Sequence, residues 1–232
     1  EQARGFLTEH CPTTAVRAVL DGDEAWDAGL WQKVAEMGWT ATVIPEAYGG
    51  LGRSYYELAI MAEERGRSAA PVPLSSSVYL ASEAIQRFGT EAQKSAWLPR
   101  LAGGECVATV AMAERAGRLA LDRLETRRSG SQLSGTKVPV ADASIAEVAV
   151  VLARSEAGLE ACLVPLQQAG VSVEPVLTFD TSRGHSVVTF DSAEAEVLGD
   201  NTINPEDWES LLDGAAVLLA WEQLGLAETA LT

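Results

Sequence analysis

The sequence predicts an α+β chain in three parts: an N-terminal α-helical domain over residues 1–105, a middle antiparallel β-barrel or sandwich domain over 106–203, and the start of a C-terminal helical bundle over 204–232. Three observations predict it. Apolar residues recur at helical spacing, with helix-capping patterns between them, up to the Gly103-Gly104 pair. From Cys106 the period shortens to brief β-branched or alternating runs separated by Gly, Asp, Ser and Pro. Near Asn204 the helical period returns.

In chain order, Leu30, Val34 and Met37 share one helical face, and Gly38 is placed to stop that helix. Ile44-Pro45 and Gly49-Gly50-Leu51-Gly52 cannot continue a helix and predict a tight loop with several positive-φ positions. Ser54-Tyr55-Tyr56-Glu57 reads as a capping box, the serine hydroxyl accepting from one free N–H and the glutamate reaching back to another. The helix it opens carries Tyr55, Leu58, Ala59 and Ala62 on one stripe, with Glu63, Glu64, Arg65 and Arg67 near its end. Pro71-Val72-Pro73 breaks the next join, and Leu74 to Phe88 predicts one further helix. Thr90 and Gln93 form a second capping box for a helix ending near Leu101. The predicted strands are Cys106 to Met112, Ala146 to Ala153, Ala161 to Pro165, Val171 to Val176 and Ser186 to Phe190. In the last segment Asn204 suits a cap, Pro205 a first turn, and Asp207 the positive end of the helix dipole. Apolar residues from Leu211 to Leu231 fall on nearly every face, so this helix needs neighbours all round. The expectation is that they come from a segment or a subunit outside this chain.

With 232 residues and 47% hydrophobic content, the chain can bury the core of one or two domains. A net charge of -16 argues against nucleic acid, which needs a basic footprint, and means that a polyanionic ligand needs its own local cluster of Arg or Lys. No window approaches the roughly 18 uninterrupted apolar residues of a membrane span, and the start lacks the basic-then-apolar pattern of a signal peptide. Cys11, Cys106 and Cys162 are odd in number and unrelated in spacing; they read as buried thiols in a reducing compartment, the cytoplasm. His10 and His185, the only histidines, leave few candidates for a histidine-based triad or metal site.

Two runs stand out: Pro45-Glu46-Ala47-Tyr48-Gly49-Gly50-Leu51-Gly52, and Phe88-Gly89-Thr90-Glu91-Ala92-Gln93-Lys94 continued by Trp97 to Glu105. In this order and spacing they resemble the amino-terminal half of the acyl-CoA dehydrogenases, flavoenzymes that desaturate acyl thioesters. The resemblance extends from about Leu30 to Thr232 and shares the family's order of helices, β domain and helical bundle. It implies FAD as cofactor, an acyl-CoA substrate, a hetero- or homotetramer with a homologous subunit, and an electron-transfer flavoprotein or similar acceptor.

The segments that hold the flavin in that family are altered here. The first normally ends in Thr-Glu-Pro, a Gly-rich turn and Ser-Asp, whose backbone N–H groups and Thr hydroxyl bond the pyrimidine side of the ring. Here Met112-Ala113-Glu114-Arg115 keeps the glutamate, loses the hydroxyl at Ala113 and replaces proline by Arg115. The lost bond is worth on the order of 1 kcal/mol. In the second segment, Gly135-Thr136-Lys137-Val138-Pro139-Val140-Ala141, Gly135 and Lys137 hold the register; Pro139 stands where the family stacks an aromatic and Ala141 where it has a hydroxyl. The resemblance therefore places Met112, Ala113, Glu114, Val140 and Ala141 at the cofactor.

For the substrate, the candidates are Arg183 and Arg118. Arg183, beside Gly184, suits a phosphate or carboxylate, with an ion pair to Asp180 or Asp191 as the structural alternative. Arg118 belongs to the chain's one basic concentration, with Arg115, Arg123, Arg127 and Arg128; it reads either as a receiver for acyl-CoA phosphates or as a solvated mixed-charge loop. His185 reads as a strand-edge polar residue. The family's catalytic base is a carboxylate of the last helical domain, so none is assigned here; no metal ligands are expected either. The loss of side-chain contacts in both flavin segments implies the degenerate partner of a heteromeric acyl-CoA dehydrogenase, of the kind acting on bulky steroid side-chain CoA esters. The alternatives are a partner subunit that binds no flavin and an ordinary FAD-binding homotetramer.

Overall fold

The structure, a computed structural model, describes residues 1–22, 26–115, 117, 119–178, 183–200 and 202–231. Helices come first: α1 (Gln2–His10), α2 (Thr13–Leu20), α3 (Ala28–Glu36), α4 (Tyr55–Ser68), a π-helix over Ser75–Ser82 that runs into α5 (Glu83–Phe88), and α6 (Glu91–Ala102). Their ends follow the local chemistry of the sequence. The Asp27 carboxylate accepts from the Leu30 N–H at 2.8 Å, and both capping boxes, Ser54 with Glu57 and Thr90 with Gln93, are closed. Each such cap is worth about 1 kcal/mol. Gly38, Gly49 and Gly52 take the positive φ that their turns require.

The Leu74 to Phe88 stretch departs from the single helix that its pattern predicts. Its first half has the wider π turn. Two buried serines there are engaged: Ser77 Oγ accepts from the Ala108 N–H, while Ser76 Oγ reaches the Pro73 carbonyl and the Asp142 carboxylate. Side-chain bonds to neighbouring elements thus compete with the regular i→i−4 ladder.

The strands are β1 (Ala108–Ala111), β2 (Arg127–Ser129), β3 (Gln132–Ala141), β4 (Val148–Arg154), β5 (Leu159–Pro165), β6 (Val171–Val176), β7 (His185–Glu194) and β8 (Glu196–Val197). They form one sheet in the order β6-β7-β3-β2-β4-β5-β8, with β1 also pairing β4. Most ladders are antiparallel; β1 and β2 run parallel to β4. β2 and β3 lie outside the strand runs read from periodicity. β3 buries Leu133, Lys137 and Val140 and slips register against β7 on either side of Lys137, so a buried charge and two irregularities break its alternation.

β4 is buried along nearly its whole length, as its continuous Val-Ala-Val-Val-Leu-Ala run requires. Its two faces serve two cores. Ala149, Val151 and Ala153 join Trp31, Val34, Trp39 and Leu58. Val148, Val150 and Leu152 join Ile44, Ile85, Leu98 and Trp208. The final helix, α7 (Pro205–Ala230), is capped by the Asn204 side chain and crosses α4. That crossing is close because both helices present glycine: a Cβ on Gly66 would sit 1.9 Å from the Glu222 carbonyl oxygen, and one on Gly225 1.9 Å from that of Glu63. Among the described residues, no helix is long and apolar enough to cross a membrane.

Candidate functional site

The π-helix, the end of β1 and the end of β3 enclose a cleft of about 570 Å³. Four of the sequence-predicted site residues line it: Met112 and Ala113, which follow β1, Ala141 at the end of β3, and Arg183 just before β7. Pro139, Arg115 and His185 share its walls. Val140 is fully buried in the larger core, since alternate side chains of a strand face opposite ways. Arg118 lies outside the described residues.

Glu114 does not line the cleft; it braces the segment behind it. Its carboxylate accepts from the backbone N–H of Glu125 at 2.6 Å, from that of Thr126 at 2.8 Å, and from Lys137 Nζ at 2.9 Å. Lys137 has no exposed surface, and its ammonium also donates to the Met112 carbonyl at 3.0 Å. Burial alone pushes the Glu114 carboxyl up, but the Glu125 N–H, Lys137 and Thr126 outweigh it and hold the group down at about 2. Burial lowers Lys137, with Glu114 opposing. The carboxylate is therefore the settled partner of the pair, ionised throughout the neutral range.

The two altered segments are tied into one wall. The Val138 N–H donates to the Ala113 carbonyl at 2.8 Å, and Thr109 Oγ1 donates to the Ala141 carbonyl at 2.6 Å. Gly135 is needed behind that wall: its φ is +147°, and a Cβ would lie 2.6 Å from Thr126 Cα. Sequence reasoning used Lys137 only as a register mark; a lysine in an alternating strand was the available signal of a buried ion pair.

Of the two ion pairs expected of Arg183, the one with Asp191 is not formed. Arg183 Nη2 donates to Asp142 Oδ2 at 3.1 Å, and Asp180 lies outside the described residues. Asp142 stands in the left-handed region, φ 55°, just after β3, and also accepts from Ser76. One buried carboxylate so joins the π-helix to the ends of β3 and β7. Neither Ser76 nor Asp142 was singled out from sequence, although an aspartate between Ala141 and Ala143 was a signal. Within the basic cluster, Arg128 pairs with Glu160 at 2.6 Å, Arg115 with Glu125 at 3.9 Å and Arg123 with Asp122 at 3.7 Å. That part of the cluster is a mixed-charge loop.

Met112, Ala113, Pro139 and Ala141 give the cleft an apolar wall, with methyl groups at Ala113 and Ala141. Its ionisable lining, among the described residues, is Arg115, Arg183 and His185, and no carboxylate faces it. The cleft thus sets apolar side chains beside cations, with no carboxylate in its described lining.

The family described as acyl-CoA dehydrogenase, N-terminal domain, matches residues 1–105. The mitochondrial isovaleryl-CoA dehydrogenase of Arabidopsis thaliana is 31% identical over 198 residues, 81% of this chain and 46% of that protein. The solved structure of the Tcur3481-Tcur3483 steroid ACAD G363A variant superposes with a TM-score of 0.86 at 33% identity, covering 99% of this chain and 62% of that one. The ChsE4-ChsE5 complex from Mycobacterium tuberculosis shares the fold, with a TM-score of 0.88 at 23% identity over 99% of this chain and 62% of its own. The chain spans between 25% and 58% of the length of the first curated relatives it matches.

Proposed function

This chain belongs to the acyl-CoA dehydrogenase family, and on that premise we propose that it is a subunit taking part in FAD-dependent 2,3-desaturation of an acyl-CoA thioester. It works beside a homologous subunit in a heteromeric complex of the cytoplasm, with an electron-transfer flavoprotein or similar acceptor. The observation that carries this reading is the cleft, where Met112, Ala113 and Ala141 converge from two segments while no described carboxylate lines it. FAD, when bound, supplies the two-electron oxidation of the acyl chain. Met112, Ala113, Pro139 and Ala141 give its ring an apolar seat, and the backbone of the 112–114 and 140–141 segments provides the hydrogen bonds that the two alanines have lost. Glu114 and Lys137 hold that backbone in place from behind. Arg118 and Arg183 serve the thioester's anionic or polar groups. The carboxylate that takes the α-proton comes from outside the described residues of the cleft. Residues 1–105, 106–203 and 204–232 supply the subunit's helical, β and bundle-forming parts, which share their cores.

A bulky substrate such as a steroid side-chain CoA ester is favoured by the likeness to a structure described as a steroid ACAD. The methyl groups of Ala113 and Ala141 favour one second reading, a partner subunit that frames the site and binds no flavin itself. The test is turnover. The chain is co-expressed with a homologous acyl-CoA dehydrogenase subunit, purified as a complex, and given acyl-CoA thioesters with an artificial electron acceptor, and the enoyl product is read by mass. The complex should form enoyl-CoA and neither chain alone should match it. Equal activity from the homologous subunit by itself would remove this chain from the reaction.

A further inference from the structure

β7 lies inside the sheet, between β6 and β3, and His185 opens it. Its register partners are Val176 of β6 and Ala141 of β3. Residues directly opposite across antiparallel strands hold their Cβ atoms about 5 Å apart on one face, so the imidazole stands beside the Ala141 methyl. The neighbouring pair, Val140 and Ser186, faces the core with 0% and 1% exposure. The alternation of the two strands thus turns His185 and Ala141 together toward the cleft, and both line it.

The ring is oriented from behind. His185 Nδ1 lies 3.2 Å from the Arg183 carbonyl oxygen. A carbonyl only accepts, so Nδ1 carries a hydrogen, and in the neutral ring Nε2 keeps its lone pair. Among the described residues Nε2 has no polar partner, and the residue is only half-buried, so this nitrogen is open to an incoming group. The other ionisable side chains of the described lining are guanidiniums, which only donate: Arg183 is held by Asp142 at 3.1 Å, and Arg115 stands 3.9 Å from Glu125. Of the hydroxyls nearby, Thr109 is spent on the Ala141 carbonyl and Ser76 on Asp142. Nor does the sheet need an imidazole here, since Val176 and Ala141 are apolar and give it no side-chain bond. His185 therefore carries unused hydrogen-bonding capacity at the point where Ala141 offers a methyl in place of the family's hydroxyl.

We propose that His185 is a flavin-contacting residue, its Nε2 supplying the polar contact to the ring that the Ala141 methyl cannot. This rests on the flavin reading above and adds to it a residue from outside the two altered segments.

The test is protection from diethyl pyrocarbonate, which acylates the unprotonated nitrogen of an imidazole, read peptide by peptide by mass. It is run on the complex with the homologous subunit, stripped of flavin and then reloaded with FAD. His10, the chain's other histidine, lies on α1 and serves as the internal control. FAD should slow modification of His185 about tenfold and leave His10 unchanged, while an acyl-CoA thioester added without FAD should protect neither. In fluorescence titration of the stripped complex, His185→Leu should weaken FAD binding roughly two- to tenfold, the loss of one hydrogen bond. His185→Gln, whose amide reaches the place of Nε2, should keep most of the affinity. Thermal melts check both folds; if the leucine variant does not fold, the protection pattern and the glutamine variant decide. If FAD binds the complex and His185 still reacts at its flavin-free rate, or if His185→Leu binds FAD as tightly as the parent, the proposal is overturned while flavin binding by the complex stands. Protection by the thioester alone puts the substrate on this wall and overturns it too. A complex that takes up no FAD overturns the flavin reading itself, and this inference with it.

Discussion

Glu114 matches the family pattern by letter, and its side chain works on the far side of the wall from the cleft. Its carboxyl falls from an ordinary 4.5 to about 2 in the fold, a difference that corresponds to about 3 kcal/mol. Because the folded value is the lower one, that stability is fully present above pH 4.5 and is lost as the pH falls toward 2. Glu114→Gln should therefore destabilise the chain by about 3 kcal/mol at neutral pH in urea unfolding, with the gap to the parent narrowing as the pH falls through that window. A gap that stays constant down to low pH would show that the charge of Glu114 contributes nothing. The two alanines make a complementary prediction. Ala113→Thr with Ala141→Ser restores two hydroxyls on the cleft wall, and each new hydrogen bond of about 0.5–1.5 kcal/mol should tighten flavin binding roughly two- to tenfold. Fluorescence titration of the complex with FAD measures it; unchanged affinity would place the ring away from these side chains. At this scale the sequence told where chemistry is missing. It did not tell that Lys137, Asp142 and Ser76 carry buried bonds, because a partner distant in sequence leaves no local pattern.

Helix ends were legible because caps are local: Ser54 with Glu57, Thr90 with Gln93, and Asn204 each close within four residues. The π turn of Ser75–Ser82 and the strand β3 were not, since both are set by what they meet. Ser76 and Ser77 are engaged by Asp142 and β1, and β3 accommodates a buried lysine. The α4–α7 crossing belongs to the same class. Gly66 reads as a weak point in a helix, and Ala there gains about 1 kcal/mol of helix propensity. In the fold that methyl would meet the α7 backbone at 1.9 Å, and overpacking of this kind costs about 1–3 kcal/mol or more. Sterics win, so Gly66→Ala should lower the melting temperature; a rise would show that α7 does not seat on α4 in solution. The ion pair beside it makes a second test. Arg65→Met leaves Glu222 buried and unpaired and should cost about 3–5 kcal/mol in denaturant unfolding, whereas replacing both partners with apolar residues should recover most of that loss.

For the molecule as a whole, the order of helices, sheet and final helix was readable from periodicity alone, and the two glycine-containing runs carried the family. The cleft was legible only in outline, through the altered segments at Ala113 and Ala141, because its shape depends on the π-helix and on Arg183 turning to Asp142. α7 buries Trp208, Leu211, Ala215 and Leu218 against this chain and leaves Val217, Leu224 and Leu226 exposed, as is Leu231 just past its end, so its all-round apolar pattern is only partly answered within the described residues. Those facts and the cleft's lack of a described carboxylate fit the proposed account, in which the site is shared with a homologous subunit. Flavin content tests it most directly: the visible absorbance and mass of the chain purified alone, then of its complex with that subunit. The account predicts a colourless chain and a yellow complex holding fewer flavins than chains. A yellow chain carrying one FAD when purified by itself would contradict it.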